Sequence, residues 1–301
     1  MAFTTPILLL IFNRPHQTRR VFNAVRETAP RNLFIAGDGP RPDKAEDEEA
    51  VTKTRAVVSD VTWDCHVKTL FREENLGCHR AVSGAIDWFF ENVDEGIILE
   101  DDCLPDQSFF RFCQELLERY RNDTRIMHIS GNNFQYSRQN FLYSYYFSVF
   151  PHIWGWASWK RAWAFYDRQM SNWPEAMGKG FLENLFPDSH ARSYWRKILQ
   201  DTFDKKIDTW DYQWAFSCWT QNGLSLLPTV NLVSNIGFGI TSTHTSKATR
   251  YTSISSQPIS FPLLHPPFII RDTQADSFTQ TRLYRSSKLA RWFKRIKHTF
   301  S

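Results

Sequence analysis

Gly96-Ile97-Ile98-Leu99-Glu100-Asp101-Asp102 constrains the fold more than any other stretch, because an apolar run ends without a break in three carboxylates. Gly96 to Leu99 is short and rich in β-branched side chains, as a strand buried on both faces of a parallel sheet should be. Burying an unpaired carboxylate costs roughly several kcal/mol, so three of them do not belong inside a core. They belong at the carboxyl end of the strand, facing a crevice that holds a cation. Hard oxygen ligands of this kind suit Mg²⁺ or Mn²⁺, and such an ion implies a phosphate-bearing ligand. A solvated acidic turn is the alternative reading of the same residues.

The first 135 residues alternate between the two periodicities. Strands are predicted over Pro6–Phe12, Leu33–Ala36, Val67–Phe71, Ile97–Glu100 and Ile126–Ser130. Between them lie helix-compatible stretches starting near Pro15, over Lys44 to Ser59, and over Arg80–Glu91. The cleanest amphipathic helix carries Phe109, Phe112, Cys113, Leu116, Leu117 and Tyr120. Strands alternating with helices predict a mostly parallel α/β sheet flanked by helices, with ligands beyond the strand carboxyl ends. Polar or flexible groups follow each of the first four strands: Asn13-Arg14, Gly37-Asp38-Gly39, Arg72 with Asn75-Leu76-Gly77, and the acid triplet. Neither a Walker A sequence nor a GxGxxG follows a strand, so metal and basic side chains are expected to hold the phosphate.

From about Tyr143 the chain turns densely aromatic, in keeping with 25 Phe, 12 Trp and 10 Tyr overall. Such residues either build a bulky core or stack on sugar-like rings. Pro151 to Trp156 is predicted as a loop entering a helix over Ala157–Tyr166, a further helix is predicted over Trp210–Gln221, and a strand over Leu226–Asn231. The tail after Ser287 carries Lys288, Arg291, Lys294, Arg295 and Lys297 around Leu289, Trp292, Phe293 and Ile296, the pattern of a basic amphipathic helix. It is expected either to lie solvated or to touch anionic lipid peripherally. The expected organisation is an α/β half over 1–135, an aromatic-rich half of the same domain over 136–250, and an extension over 251–301.

A formal charge of +4 gives no reason to expect a nucleic-acid partner, and no apolar run reaches the length of a membrane span. Pro6 to Phe12 is too short and wrongly flanked for a signal peptide. Five cysteines without a CxxC pair point to reduced thiols and a cytoplasmic chain, and Cys65-His66 with Cys78-His79 match no usual zinc spacing.

Asn13-Arg14-Pro15, the Asp38 turn, Glu74-Asn75-Leu76-Gly77 and the acid triplet together resemble glycosyltransferases of the GT-A fold, similar to the family 2-like enzymes. The segment from Ile97 to Phe110 also resembles the Glu-Asp-Asp segment of N-acetylglucosaminyltransferase I relatives, as do Phe150 through Trp163 and Trp210-Asp211-Tyr212. The likeness runs from about Pro6 to His244. It implies a GT-A, Rossmann-like fold with an aromatic-rich acceptor-side subdomain. It also implies Mn²⁺- or Mg²⁺-dependent, inverting transfer of a sugar from a nucleotide diphosphate-sugar to a carbohydrate or lipid-linked acceptor.

Carried over residue by residue, the resemblance makes Asp102 a metal ligand and His244 the residue completing the metal shell. Asp101 approaches the ribose and Asp38 the nucleoside, each acting on the donor. Asn13, Arg14, Asn75, Gly77 and Arg80, with Arg72, are expected around the nucleotide and its phosphates. Trp154 and Trp156 are expected to close over donor and acceptor, unless they build core. Glu100 stays open, since strand alternation pairs it with Asp102. Asp38 can equally cap a turn, and Asn13 a helix. Asp211 is the expected general base and Asp208 the runner-up, although an acid at a helix N-terminus also satisfies backbone N–H groups. Two other functions remain open: a nucleotidyltransferase that makes nucleotide-sugars, and a noncatalytic sugar-binding or assembly protein.

Overall fold

The computed structural model describes residues 3–135, 141–237 and 254–284. His244 and the basic tail therefore lie outside the described residues. The strands are β1 (Ile7–Ile11), β2 (Asn32–Gly37), β3 (His66–Phe71), β4 (Glu95–Glu100), β5 (Cys103–Pro105), β6 (Ile126–Ser130), β7 (Tyr145–Ser148), β8 (Trp156–Trp159), β9 (Leu224–Pro228) and β10 (Val233–Asn235). The helices are α1 (Pro15–Thr28), α2 (Ala45–Val58), α3 (Gly77–Asn92), α4 (Gln107–Arg119), α5 (Lys160–Trp163), α6 (Trp173–Gly178), α7 (Phe181–Leu185), α8 (Ser189–Phe203), α9 (Asp211–Thr220) and α10 (Thr273–Leu283).

Eight strands form one sheet in the order β3-β2-β1-β4-β8-β6-β9-β7, with β5 and β10 pairing separately. β3, β2, β1 and β4 are mutually parallel, β6 and β9 run with them, and only β8 and β7 oppose them. The protein is thus a mixed α/β, Rossmann-like fold with a mostly parallel sheet flanked by helices. Every residue of β1 is buried, which is why its sequence, Ile-Leu-Leu-Leu-Ile, lacks polar alternation. Ile7, Leu9 and Ile11 face a core shared with α1 and α4, whereas Leu8 and Leu10 face α3. Helix α4 buries Phe109, Phe112, Cys113, Leu116 and Leu117 along one stripe, and Asp106 caps its start by accepting from the Ser108 N–H at 2.9 Å.

The predicted helix over Ala157–Tyr166 is corrected by β8. Trp156–Trp159 threads antiparallel between β4 and β6, and its alternation sends Trp156 to one core and Ala157 and Trp159 to the other. Only Lys160–Trp163 is helical there. Sheet pairing on both sides overrides the helix-compatible composition. The predicted strand over Leu226–Asn231 starts two residues earlier and ends three earlier, as Leu224–Pro228. Most aromatic residues of the second half are core: Phe150, Trp173, Phe186, Trp195, Phe216 and Trp219 pack together beneath α6 to α9. All five cysteines are free thiols. No described helix is long and apolar enough to cross a membrane.

Helix α10 is tied to the sheet by one buried acid. Asp276, 3% exposed, accepts from Ser148 Oγ at 2.5 Å, Arg271 Nε at 2.6 Å and the Val149 N–H at 3.3 Å. Removing that carboxylate strands three donors, so Asp276→Ala is expected to destabilise the fold by about 3 kcal/mol. Urea unfolding followed by tryptophan fluorescence reads the shift.

Candidate active site

Strand register assembles the site. Ile11 pairs with Gly37, Gly37 with Phe71, and Leu10 with Glu100, so the four parallel strands end nearly level. The residues that follow converge on a cleft of about 280 Å³. Phe12 and Arg14 line it from beyond β1, Asp38 and Arg41 from beyond β2, Arg72 and Asn75 from between β3 and α3, and Gly77 and Cys78 from the first turn of α3. Glu100 and Asp101 close its floor, and Asp208 enters from the turn before α9.

The acid triplet meets one cation. Arg14 Nη1 lies 2.6 Å from Asp102 Oδ2 and 3.3 Å from Asp101 Oδ1, while Asp101 Oδ2 accepts the Phe12 N–H at 3.1 Å. Three carboxylates against one guanidinium leave a deficit of positive charge. Burial pushes the Asp101 carboxyl up to about 7 even with Arg14 beside it. Burial, then repulsion from Asp102 and Asp101, raises Glu100 to about 8. The end of β4 therefore favours either protons or a further cation.

A glycine keeps this corner open. The Ile236 N–H donates to the Asp102 carbonyl at 2.8 Å, and a Cβ on Gly237 would fall 2.0 Å from Asp102 Oδ2. The chain thus passes against the Asp102 carboxylate seven residues before His244. Among the described residues no group of three or more His, Cys, Asp or Glu side chains converges as a ready metal cage. The donor set still fits Mg²⁺ or Mn²⁺: hard carboxylate oxygens, already matched with a cation at 2.6 Å, which phosphate oxygens would complement.

Asp38 accepts from the Leu76 N–H at 3.0 Å and the Gly77 N–H at 3.2 Å, fixing the loop that opens α3. Burial nevertheless holds its carboxyl above the ordinary range. Asn75 donates to the Gly39 carbonyl at 2.8 Å, locking the same two loops together. Gly77 has φ +77°, a left-handed conformation that favours glycine, and its missing Cβ leaves Asp208 its place. Asp208 accepts the Cys78 and His79 N–H groups at 3.2 Å each, capping α3 from 130 residues away. Asp211 is the first residue of α9 and accepts from the Thr209 hydroxyl. Its charge reaches Glu100 and Cys78.

Several expected residues stand elsewhere. Asn13 turns away and donates to Asp47 at 2.7 Å, so it braces the β1–α1 loop against α2. Arg80 is exposed on α3 and does not line the cleft. Trp156 is wholly buried against His128, Trp210 and Trp214, which leaves no face for a sugar. Trp154 is half-buried against the main core and Phe134. Two residues that the sequence reading passed over matter here. Arg41 lines the cleft, and Asp47 holds it through Nε at 2.5 Å and Nη2 at 2.9 Å. The signal available was a cation between two prolines just past a strand end, Pro40-Arg41-Pro42.

No known family matches the chain, and no curated protein does. Among solved structures it is similar to HddC from Yersinia pseudotuberculosis, at 9% identity over 52% of this chain and 78% of that one, with a TM-score of 0.32. It is also similar to a UDP-glucose pyrophosphorylase complexed with UDP-glucose, at 9% identity over 44% of this chain and 64% of that one, with a TM-score of 0.26. Likeness at this level carries no argument about activity.

The raised carboxyls set a sign for stability against pH. An acid that holds its proton more tightly when folded stabilises the fold below its ordinary pKa, and that stability is lost as pH rises through the folded value. For Glu100 the window runs from its ordinary 4.5 to about 8. Without divalent cations, the melting temperature is expected to fall across that window, and Glu100→Gln is expected to flatten the fall. Differential scanning fluorimetry over pH reads both.

Proposed function

We propose that the protein is an inverting glycosyltransferase of the GT-A type, moving a sugar from a nucleotide diphosphate-sugar to an acceptor hydroxyl, with Mn²⁺ or Mg²⁺. One observation carries this reading: a cation-deficient acid cluster shares a strand-end cleft with three arginines, Arg14, Arg41 and Arg72. Such a cleft suits a ligand that brings phosphates and a divalent ion together. Asp102 would hold the ion, with His244 completing its shell. The bound ion supplies Lewis-acid neutralisation of the charge that develops on the departing diphosphate.

The side chains of the chain then divide the remaining work. Arg41 and Arg72 receive the diphosphate, and Arg14 turns from the acids to the phosphate oxygens. Asp38 meets the nucleoside from the loop it braces, and Asp101 approaches the ribose. Asp211 takes the proton of the acceptor hydroxyl as that oxygen attacks the anomeric carbon. Both oxygens of Asp208 are engaged by backbone N–H groups of α3, which makes it the weaker base.

The second reading is a nucleotidyltransferase that forms nucleotide-sugars. The connection after β1 speaks against it. Phe12-Asn13-Arg14 leads straight into α1, with no glycine-rich basic loop to wrap a triphosphate. Peripheral membrane contact through the tail remains part of the proposal.

Calorimetric titration with UDP is expected to give binding that requires Mn²⁺, and Asp102→Ala to abolish the requirement along with the affinity. Mn²⁺-independent affinity that survives in Asp102→Ala would overturn the assignment. Asp211→Asn is expected to lower turnover by roughly 100-fold or more while donor affinity holds. Release of pyrophosphate from a nucleoside triphosphate and a sugar 1-phosphate would favour the nucleotidyltransferase.

A further inference from the structure

Arg41 is held in the cleft differently from the two other arginines there. Arg14 is bound to Asp101 and Asp102, at the floor of the cleft itself, and Arg72 has no ion pair among the described residues. Arg41 instead meets an acid that does not line the cleft. Asp47, in the first turn of α2, accepts from Arg41 Nε at 2.5 Å and from Nη2 at 2.9 Å, a two-pronged pair. The Arg41 backbone N–H also donates to Asp47, at 3.3 Å, so one carboxylate holds the residue at both ends.

An acid in the first turn of a helix commonly serves that helix's own N–H groups. Asp47 does not. It is 1% exposed, and among the described residues every hydrogen bond it accepts comes from Arg41 or Asn13. Asn13 Nδ2, just past β1, donates at 2.7 Å to Asp47 Oδ1, the oxygen that Arg41 Nη2 also reaches. The Arg41 guanidinium lies over the Phe12 ring, with Cζ 5.5 Å from the ring centre, and Phe12 lines the cleft. Clasped along one edge and backed by an aromatic ring, the guanidinium keeps Nη1 without a partner among the described residues, and its side chain stays 31% exposed.

We infer that Asp47 and Asn13 are positioning residues, which set Arg41 in advance for the diphosphate of the donor. The inference rests on the glycosyltransferase reading for its ligand, a nucleotide diphosphate. A loose arginine loses rotamer freedom when it binds, whereas one fixed beforehand has little left to lose. Pairing with Asp47 also cancels much of the Arg41 charge at a distance, so Arg41 offers the cleft a directed donor more than an attracting field. Arg72, with no counter-ion among the described residues, supplies the attraction. Asn13 thereby acts on the cleft without entering it, through Asp47 and then Arg41.

A double-variant cycle on UDP affinity, measured by calorimetry in saturating Mn²⁺, tests this. Asp47→Asn and Arg41→Gln are each expected to weaken UDP about tenfold, and the two together no more than Arg41→Gln alone. An acid that only stabilised the fold would give the same loss with or without Arg41. Asn13→Ala leaves the ion pair in place and is expected to weaken UDP about threefold, again only while Arg41 is present. It runs the cycle if Asp47→Asn does not fold. Unchanged affinity in either member of the cycle, or losses that multiply in the double variant, would overturn the proposal and leave the glycosyltransferase reading standing. A native chain that binds no UDP with Mn²⁺ overturns that reading instead, and the same cycle with inorganic pyrophosphate then decides this one. Binding of neither UDP nor pyrophosphate overturns both.

Discussion

Three carboxylates close together at the end of one buried strand are the constraint on which the rest of the site depends. Asp101 and Asp102 share the Arg14 guanidinium, Glu100 feels its charge without bonding it, and Glu100 and Asp101 hold their protons far above the ordinary carboxylate range. Like charges this close are tolerated only when something positive or a proton offsets them. The neighbouring structure is arranged around that need: Arg14 reaches across from the start of α1, the Phe12 N–H supports Asp101, and Gly237 leaves Asp102 its space. A fold that only needed stability would have replaced these acids by apolar residues at little cost. Their presence argues for a ligand.

The scaffold explains how such a cluster is held in place. Parallel strands ending level with one another put Asp38, Arg72 and the acids on one rim, and loops tied by Asn75 and Asp208 keep that rim from splaying. Asp208 is notable because it belongs to the second half of the chain yet caps the helix that follows β3. The two halves are thereby joined at the cleft, beside Asp211. Strands from both halves also share the one sheet.

Much of the parallel half was legible because its strands are apolar runs and its helices carry clear stripes. Ile126–Ser130 falls where its pattern places it, and α4 buries the expected stripe. The acid triplet, the Asp38 turn and the Asn75-Leu76-Gly77 loop could be placed at strand ends for the same reason. The aromatic half resisted reading. Trp156 to Trp159 is a strand whose neighbours come from β4 and β6, a tertiary fact that local composition does not encode. Trp156 looks like a sugar platform in sequence and is core in space, because bulky rings fill the interior between α3, α5 and α9. Asn13 and Arg80 misled in another way. Each lies next to the cleft along the chain, but its side chain leaves in another direction. Arg41 was missed because its role depends on Asp47, whose partner set only folding reveals.

The most direct measurement is a crystal of the protein soaked with manganese and UDP, examined at the manganese absorption edge. An anomalous peak against the Asp102 carboxylate, with diphosphate oxygens on its far side and Arg14 turned off the acids, is the predicted result. Diphosphate bound with no such peak, and Arg14 still clasping Asp101 and Asp102, would contradict the account.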